Sequence, residues 1–320
     1  MKYAVTGGAG FIASHLVDRL LNDGNEVICI DNFVTGKKEN IVHNENKKNF
    51  KCIVNDLSDI DYLTKIFKGC DAVFHFAANA DIRGSIKNTR KDLEVNTILT
   101  YNVLEAMRKA DVKKIVFASS SAVYGEPEKI PTPEDYPLTV TSLYGASKVA
   151  GETLIEAYCS TFDMQGWMYR FVGIIGERYS HGVIYDFVKK LSENPDMLEI
   201  LGNGNQRKSF LYVKDCADGI MFGYNRAKDS VNIFNLGTDE AIVIRKLADV
   251  VVEEMGLKNV EYNFTGGIRG WKGDSPVVRL STEKINRFGW KPKLKIEEGI
   301  RATTRWLINQ KHEDKYKSNK

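Results

Sequence analysis

No stretch of the 320 residues approaches the roughly 18 consecutive apolar residues that a membrane helix needs, so no membrane span is expected. Charge of one sign is also missing. The 45 Lys and Arg stand against 42 Asp and Glu, for a net +3, too little to call for a nucleic-acid or membrane partner. Cysteine is scarce: Cys29, Cys52, Cys70, Cys159 and Cys216 are odd in number, lack metal-ligand spacing and sit mostly in apolar runs. They read as reduced packing thiols, which argues against a disulfide framework or a metal centre. Of the seven prolines, Pro127, Pro131, Pro133 and Pro137 fall together and make one irregular loop. No internal repeat is present. A strand-like run follows Met1 directly, so no signal peptide is expected, and a cytoplasmic location follows.

What remains is an ordinary globular composition, 43% apolar and 27% charged, with length for about two domains. The first strand, Lys2 to Val5, runs into Thr6-Gly7-Gly8-Ala9-Gly10 and then a segment with helical spacing at Phe11, Leu16, Val17 and Leu20. Gly7 and Gly10 permit a tight turn whose backbone N–H groups can approach a pyrophosphate, and the helix aims its positive N-terminus at the same anion. Gly8 to Ala13 fits the dinucleotide fingerprint in its variant with a final Ala. Read alone, this is also a glycine turn with an Asp cap. A second strand, Glu26–Ile30, ends at Asp31, where an acid binds both ribose hydroxyls of NAD and repels a 2′-phosphate. Lys37 and Lys38, just beyond, read as a solvated loop.

Further strands are expected at Phe50–Val54, Ala72–Phe76, Lys114–Ser120 and Trp167–Val172, with helices near Ile60–Phe67, Asp92–Lys109, Tyr144–Phe162 and Ile184–Leu191. Asp56, before Leu57, is either an adenine ligand or a helix N-cap. Ala77-Ala78-Asn79 lets a cofactor pass the strand end. His75, inside an apolar strand, reads as a buried, hydrogen-bonded histidine. Asn96 is the polar residue on the apolar face formed by Leu93, Leu99, Val103 and Met107, placed to tie that helix to the neighbouring strand. The alternation predicts a doubly wound parallel α/β sheet of Rossmann type. Residues 1–170, rejoined by about 211–247, are its cofactor domain; about 171–210 and 248–320 form a smaller α/β substrate domain. Asp215 is expected to open a helix, Val231–Leu236 to return to the sheet, and Lys311–Lys320 to be a frayed tail.

Tyr144 and Lys148 are four residues apart at a helix start, hence on one face. A phenol with an unperturbed pKa of about 10 is a poor base, but a nearby ammonium and a positive nicotinamide favour its phenolate. Lys148 can also hold the nicotinamide ribose, and Ser120 can hold the substrate oxygen.

Thr6–Ala13, Asp31-Asn32, His75–Ala78, Ser119–Gly125 and Tyr144–Lys148 together resemble the extended short-chain dehydrogenase/reductase family, over nearly the whole chain. Within it the sequence is most similar to the UDP-glucose 4-epimerases of the epimerase/dehydratase group. The resemblance implies a tightly held NAD, a nucleotide-sugar substrate, and a homodimer built from two helices of each subunit. It extends the cofactor site to Phe11, Ile12, Asn32, Leu57, Ala77 and Asn96, and the substrate site to Ser121. Lys208, with Arg207 as a neighbour that can join it, and Arg269 are diphosphate ligands by the same resemblance, with Asp274 near the uridine ribose. Similar 4,6-dehydratases carry Thr-Asp-Glu where this chain has Ser120, Ser121 and Ala122, and the related decarboxylases usually keep that Glu. Its loss favours 4-epimerisation of a UDP-hexose, in which Tyr144 takes the 4-hydroxyl proton, NAD the C4 hydride, and the 4-keto sugar turns before reduction. A dehydratase or reductase, or a non-catalytic NAD-binding module, is the alternative. Two positions depart from the pattern: Gly173 stands where an Asn usually helps hold the diphosphate, and Val278 where a bulky Tyr excludes N-acetyl groups. The smaller Val leaves room for a 2-acetamido sugar.

Overall fold

The computed structural model describes the backbone of residues 1–318 and the side chains of residues 1–310. Strands β1 (Lys2–Thr6), β2 (Glu26–Asp31), β3 (Phe50–Val54), β4 (Ala72–His75), β5 (Lys114–Ser120) and β6 (Gln165–Phe171) alternate with helices. These are α1 (Phe11–Asn22), α2 (Ile60–Phe67), α3 (Thr89–Asp92), α4 (Leu99–Lys109) and α5 (Leu143–Phe162). Then follow β7 (Gly173–Ile175), α6 (Val183–Glu193), β8 (Met197–Ile200), β9 (Arg207–Lys208), β10 (Phe210–Tyr212), α7 (Val213–Arg226) and β11 (Val231–Leu236). The chain ends with β12 (Ile242–Val243), α8 (Ile244–Glu254), β13 (Glu261–Phe264), β14 (Val277–Val278), α9 (Glu283–Arg287) and α10 (Ile296–Ser318).

Seven strands form one parallel sheet in the order β11-β6-β5-β4-β1-β2-β3. Because side chains alternate along a strand, each strand serves two cores. Tyr3, Val5 and Phe74 pack beneath α1 and α7, beside Leu16, Val17 and Ile220. Ala4 and Val73 face the other way, onto Leu63, Val103, Met107 and Ile155 of α2, α4 and α5. This two-faced burial is the Rossmann-type arrangement that the alternating sequence predicts. Fully burying each such Leu, Ile or Val contributes about 1.5–3 kcal/mol. A third core joins α6, α8 and α10 through Phe187, Leu247, Val251 and Ile300. Chain order reverses between β1 and β4, so a crevice opens beyond their C-terminal ends.

Gly7 fixes the near side of that crevice. Its φ is +67°, and a Cβ there would stand 2.6 Å from the Ala77 backbone nitrogen. Gly7→Ala is therefore expected to cost about 2 kcal/mol or more and to empty the cofactor site. Thermal melts and the dinucleotide content of the purified protein measure the two effects; a variant with wild-type melting and full dinucleotide would refute this account of the turn.

Some expectations are corrected. The helix predicted over Asp92–Lys109 starts at Thr89 and contains a π-helical turn, Leu93–Ile98, between α3 and α4. The wider turn shifts the helical phase, so Leu93 is 54% exposed while Asn96, Val103 and Met107 are buried. Asp56 does not cap α2: it accepts from the N–H and hydroxyl of Ser58, and Asp59 caps the helix by accepting from the Tyr62 N–H. The helix expected at Asp215 opens at Val213. The tail expected from Lys311 is helical as far as Ser318, and residues 319 and 320 lie outside the described residues.

Candidate active site at the sheet crossover

On the β1 side, α1 begins at Gly10 with no side-chain cap and no acidic residue in its first turn. Its first N–H groups, including those of Phe11 and Ile12, are thus left to an outside acceptor. Asp31, buried at the end of β2, accepts from the Ala9 N–H at 2.9 Å and the Phe33 N–H at 2.8 Å. The acid expected to bind the ribose hydroxyls is thereby tied to the glycine turn. Asn32 begins the following loop, bonding the Val34 N–H. An uncapped helix end, a glycine turn in backbone contact with Ala77 and a carboxylate at the second strand's end fit a dinucleotide. Leu57 is buried at a positive φ of 64°.

Asn96, turned inward by the π-helical turn, accepts from the Asn79 N–H at 2.7 Å and donates to Ser147 Oγ at 2.9 Å. Ser147 in turn donates to the Tyr144 carbonyl at 2.7 Å. The end of β4 is thus pinned to the first turn of α5. His75 is buried as expected, between Thr6 Oγ1 at 2.7 Å and Thr100 Oγ1 at 2.9 Å. Burial holds its pKa down at about 3, and both ring nitrogens are taken up by threonine hydroxyls.

Ser142 caps α5 by accepting from the Gly145 N–H, and a Cβ on Gly145 would lie 2.5 Å from the Ala122 carbonyl oxygen. The helix therefore starts hard against the Ser120–Ala122 turn. This contact brings Ser120, Tyr144 and Lys148 together. The Lys148 Nζ donates to the Ala118 carbonyl at 2.8 Å and stands 5.8 Å from the Tyr144 ring centroid. Burial pushes the Tyr144 phenol up to about 12, with the hydrogen bond from Ser120 pulling the other way. Burial pulls the Lys148 ammonium down to about 8, opposed by Glu152 and Asp92. The neighbouring ammonium was expected to activate the phenol; the chain alone shifts it in the opposite direction.

Behind this trio lies a buried ionic group that sequence reasoning missed. Arg170 of β6 grips Glu152 of α5 through two bonds of 3.0 and 2.7 Å, with both side chains 3% exposed or less. Ser119 Oγ donates to the same carboxylate at 2.5 Å, and the other arm of Arg170 donates to the Tyr124 hydroxyl and the Glu134 carbonyl. A signal was available: Arg170 interrupts an apolar strand, and Glu152 follows Lys148 by four residues on one helix face.

The residues expected on the substrate side also converge. Lys208 of β9 and Val278 of β14 are register partners, and Lys208 Nζ stands 2.6 Å from an Asp274 carboxylate oxygen. The Gly270 N–H donates to the other Asp274 oxygen at 3.0 Å. Arg269 pairs with Glu126 of the proline-rich loop and reaches the Asp274 carbonyl at 3.4 Å. Arg207, beside them, pairs in register with Val277. Val278 and Ser121 line one small cleft with Tyr124 and Pro127. At Gly173 a Cβ would meet the Phe210 ring at 2.7 Å, so this ring takes the space of a side chain there. A larger cleft, of about 310 Å³, lies elsewhere between α1 and α7 around His15 and Asp218 and touches none of these residues.

Residues 3–237 match the model of the NAD dependent epimerase/dehydratase family. A Methanocaldococcus jannaschii protein provisionally named UDP-glucose 4-epimerase is 37% identical, over 95% of this chain and 98% of its own. The Thermus thermophilus UDP-glucose 4-epimerase, solved in complex with NAD, is 32% identical with a TM-score of 0.86, over 96% of this chain and 99% of its own. The Arabidopsis thaliana UDP-glucuronic acid decarboxylase 4 is 32% identical, over 94% of this chain and 67% of its own.

Proposed function

The chain belongs to the NAD-dependent epimerase/dehydratase family, whose cofactor is NAD, and from that premise we propose that it interconverts the 4-epimers of a UDP-hexose. The observation that carries this reading is Ala122, in the turn packed against the first turn of α5. A dehydratase needs an acid-base residue there to eliminate water, and a methyl side chain can neither take nor give a proton. Epimerisation needs one base only. Bound NAD supplies the reversible oxidation of the sugar carbon. Tyr144 takes the proton from the 4-hydroxyl and later returns it, while Ser120 holds the oxygen between them. Lys148, fixed by the Ala118 carbonyl, orients the ribose and places positive charge near the phenolate.

Gly7, Gly10, Phe11, Ile12, Asp31, Asn32, Asp56, Leu57, Ala77 and Asn96 line the path assigned to NAD. Lys208 and Arg269 meet the diphosphate, and Asp274, paired with Lys208, steadies that cation beside the ribose. Val278 leaves space at the sugar 2-position for an acetamido group. The chain works as a cytoplasmic homodimer joined through α4 and α5, to which half-exposed Tyr101 of α4 and Ile98 of the turn before it supply apolar surface.

Incubating the NAD-loaded protein separately with UDP-galactose and UDP-N-acetylgalactosamine, and separating the products by chromatography, tests the reading. The gluco-configured partner is expected from both. Release of a 4-keto-6-deoxy sugar would establish a dehydratase instead. Turnover of UDP-galactose alone would remove the role given to Val278.

A further inference from the structure

Cys29 and Cys52 stand opposite each other in register on β2 and β3, both against the core beneath α1. Neighbouring strands are about 4.7–4.9 Å apart, inside the Cα separation of about 4.4–6.8 Å that a disulfide spans. The edge strand β3 is bonded to the sheet on one side only, so it can shift toward β2 without breaking a second ladder. Cys29 is fully buried, while Cys52 is partly open to solvent. Cys70, in the turn between α2 and β4, Cys159 of α5 and Cys216 of α7 are buried elsewhere.

We propose that Cys29 and Cys52 are a reversible dithiol–disulfide site, closed by exchange with a small-molecule disulfide such as oxidised glutathione, and that closure loosens the NAD turn above it. The Cys52 thiolate attacks one glutathione sulfur, forming a mixed disulfide and expelling one glutathione thiolate. The Cys29 thiolate then attacks the Cys52 sulfur, forming the internal bond and expelling the second. Two cysteine thiols lose two protons and two electrons, and the oxidant is reduced to two glutathione molecules. The division of labour fits the surroundings. The adjacent Cys29 S–H favours the Cys52 thiolate against its partial burial, Asp31 and Glu45, with help from Lys38, while the partner thiol is held high by that same hydrogen bond and by burial. Cys52 stays partly open to solvent, and exposed disulfides are among the readily reduced ones.

The route to the cofactor is one of direct contact. A Cβ on Gly8 would stand 2.6 Å from Cys29 Sγ, so the sulfur already fills the space under the glycine turn. Asp31, two residues further along β2, is bonded to the Ala9 N–H. Drawing Cys29 toward β3 moves the support of that turn and the strand carrying its acid together.

The test is equilibration of the purified protein with oxidised glutathione, followed by peptide mapping after differential alkylation and by titration with NAD. The expected result is a Cys29–Cys52 link with the loss of two hydrogens and an NAD dissociation constant raised about fivefold or more, both reversed by dithiothreitol. Cys29→Ser should stop at a glutathione adduct on Cys52, and Cys52→Ser should take up glutathione at neither position. Mapping of the wild-type chain needs no variant to fold. A wild-type chain that stays reduced, or halts as a glutathione adduct, overturns the proposal, and so does a link that leaves NAD affinity unchanged. None of these readouts depends on which sugar reaction is catalysed.

Discussion

Tyr144→Phe is expected to lower kcat about 10²–10⁴-fold, the usual contribution of a positioned acid-base group, while the chain keeps its NAD. The substitution removes one oxygen from a side chain that is 9% exposed and leaves the bonds that hold α5 in place, which run through Ser142, Ser147 and Asn96. Loss of turnover with an unchanged melt and unchanged NAD content is therefore the signature of a proton-transfer role. Residual activity within about threefold of wild type would remove Tyr144 from the chemistry. The wild-type pH profile supplies the matching sign. The base must be deprotonated, and burial has pushed its phenol up to about 12, so kcat/KM should climb as pH rises from neutrality. Lys148 is the opposing group: it loses its proton through about 8, and the charge that favours the phenolate goes with it. The rise should therefore level off above about pH 8, where each gain in phenolate is offset by a loss of ammonium, and Ser120→Ala should lower kcat/KM throughout the rise because the bond that lowers the phenol is gone.

The largest stability loss is expected from Arg170→Ala, about 3–5 kcal/mol, the cost of leaving one member of a buried ion pair unpaired. Glu152 would remain 2% exposed with only Ser119 to bond it, and the Tyr124 hydroxyl and Glu134 carbonyl would lose their shared donor. Replacing both charges by apolar groups of similar volume should cost far less, since the desolvation penalty then disappears with the attraction. Urea denaturation of Arg170→Ala beside an Arg170→Met/Glu152→Leu pair distinguishes the cases. Equal losses would mean that the pair's shape matters and its charge does not.

Tyr144 and Lys148 were legible because one helical repeat is enough to put them on one face. The glycine turn was legible because strand, turn, helix and acid follow one another within about thirty residues. The two faces of the sheet were legible from apolar runs. Other features lie outside the reach of local pattern. Strands β9, β12 and β14 are two residues each, too short to show a period, yet they carry Lys208 and Val278. The Arg170–Glu152 pairing depends on β6 meeting α5 in three dimensions, so sequence spacing cannot state it. Leu93 was misplaced because a constant 3.6-residue repeat was carried through a turn that does not keep it. Gly173 was visible as a departure, but the Phe210 ring that fills its place was not.

That irregular turn also sets how the chain tolerates insertion and deletion. Each residue of a helix advances it by about 100°, and a surface helix ordinarily suffers when one residue is removed, because its buried side swings out of place. Here the segment Leu93–Ile98 already carries the slack of the wider coil. Removing one residue from it would let the backbone relax into a plain α-helix, and α4 could keep its packing on α2. The side chains inside the turn would instead change the direction they face. Asn96 would part from Asn79 or from Ser147, and the chain would still fold around a loosened hinge. A single codon thus separates a sound scaffold from an aligned one.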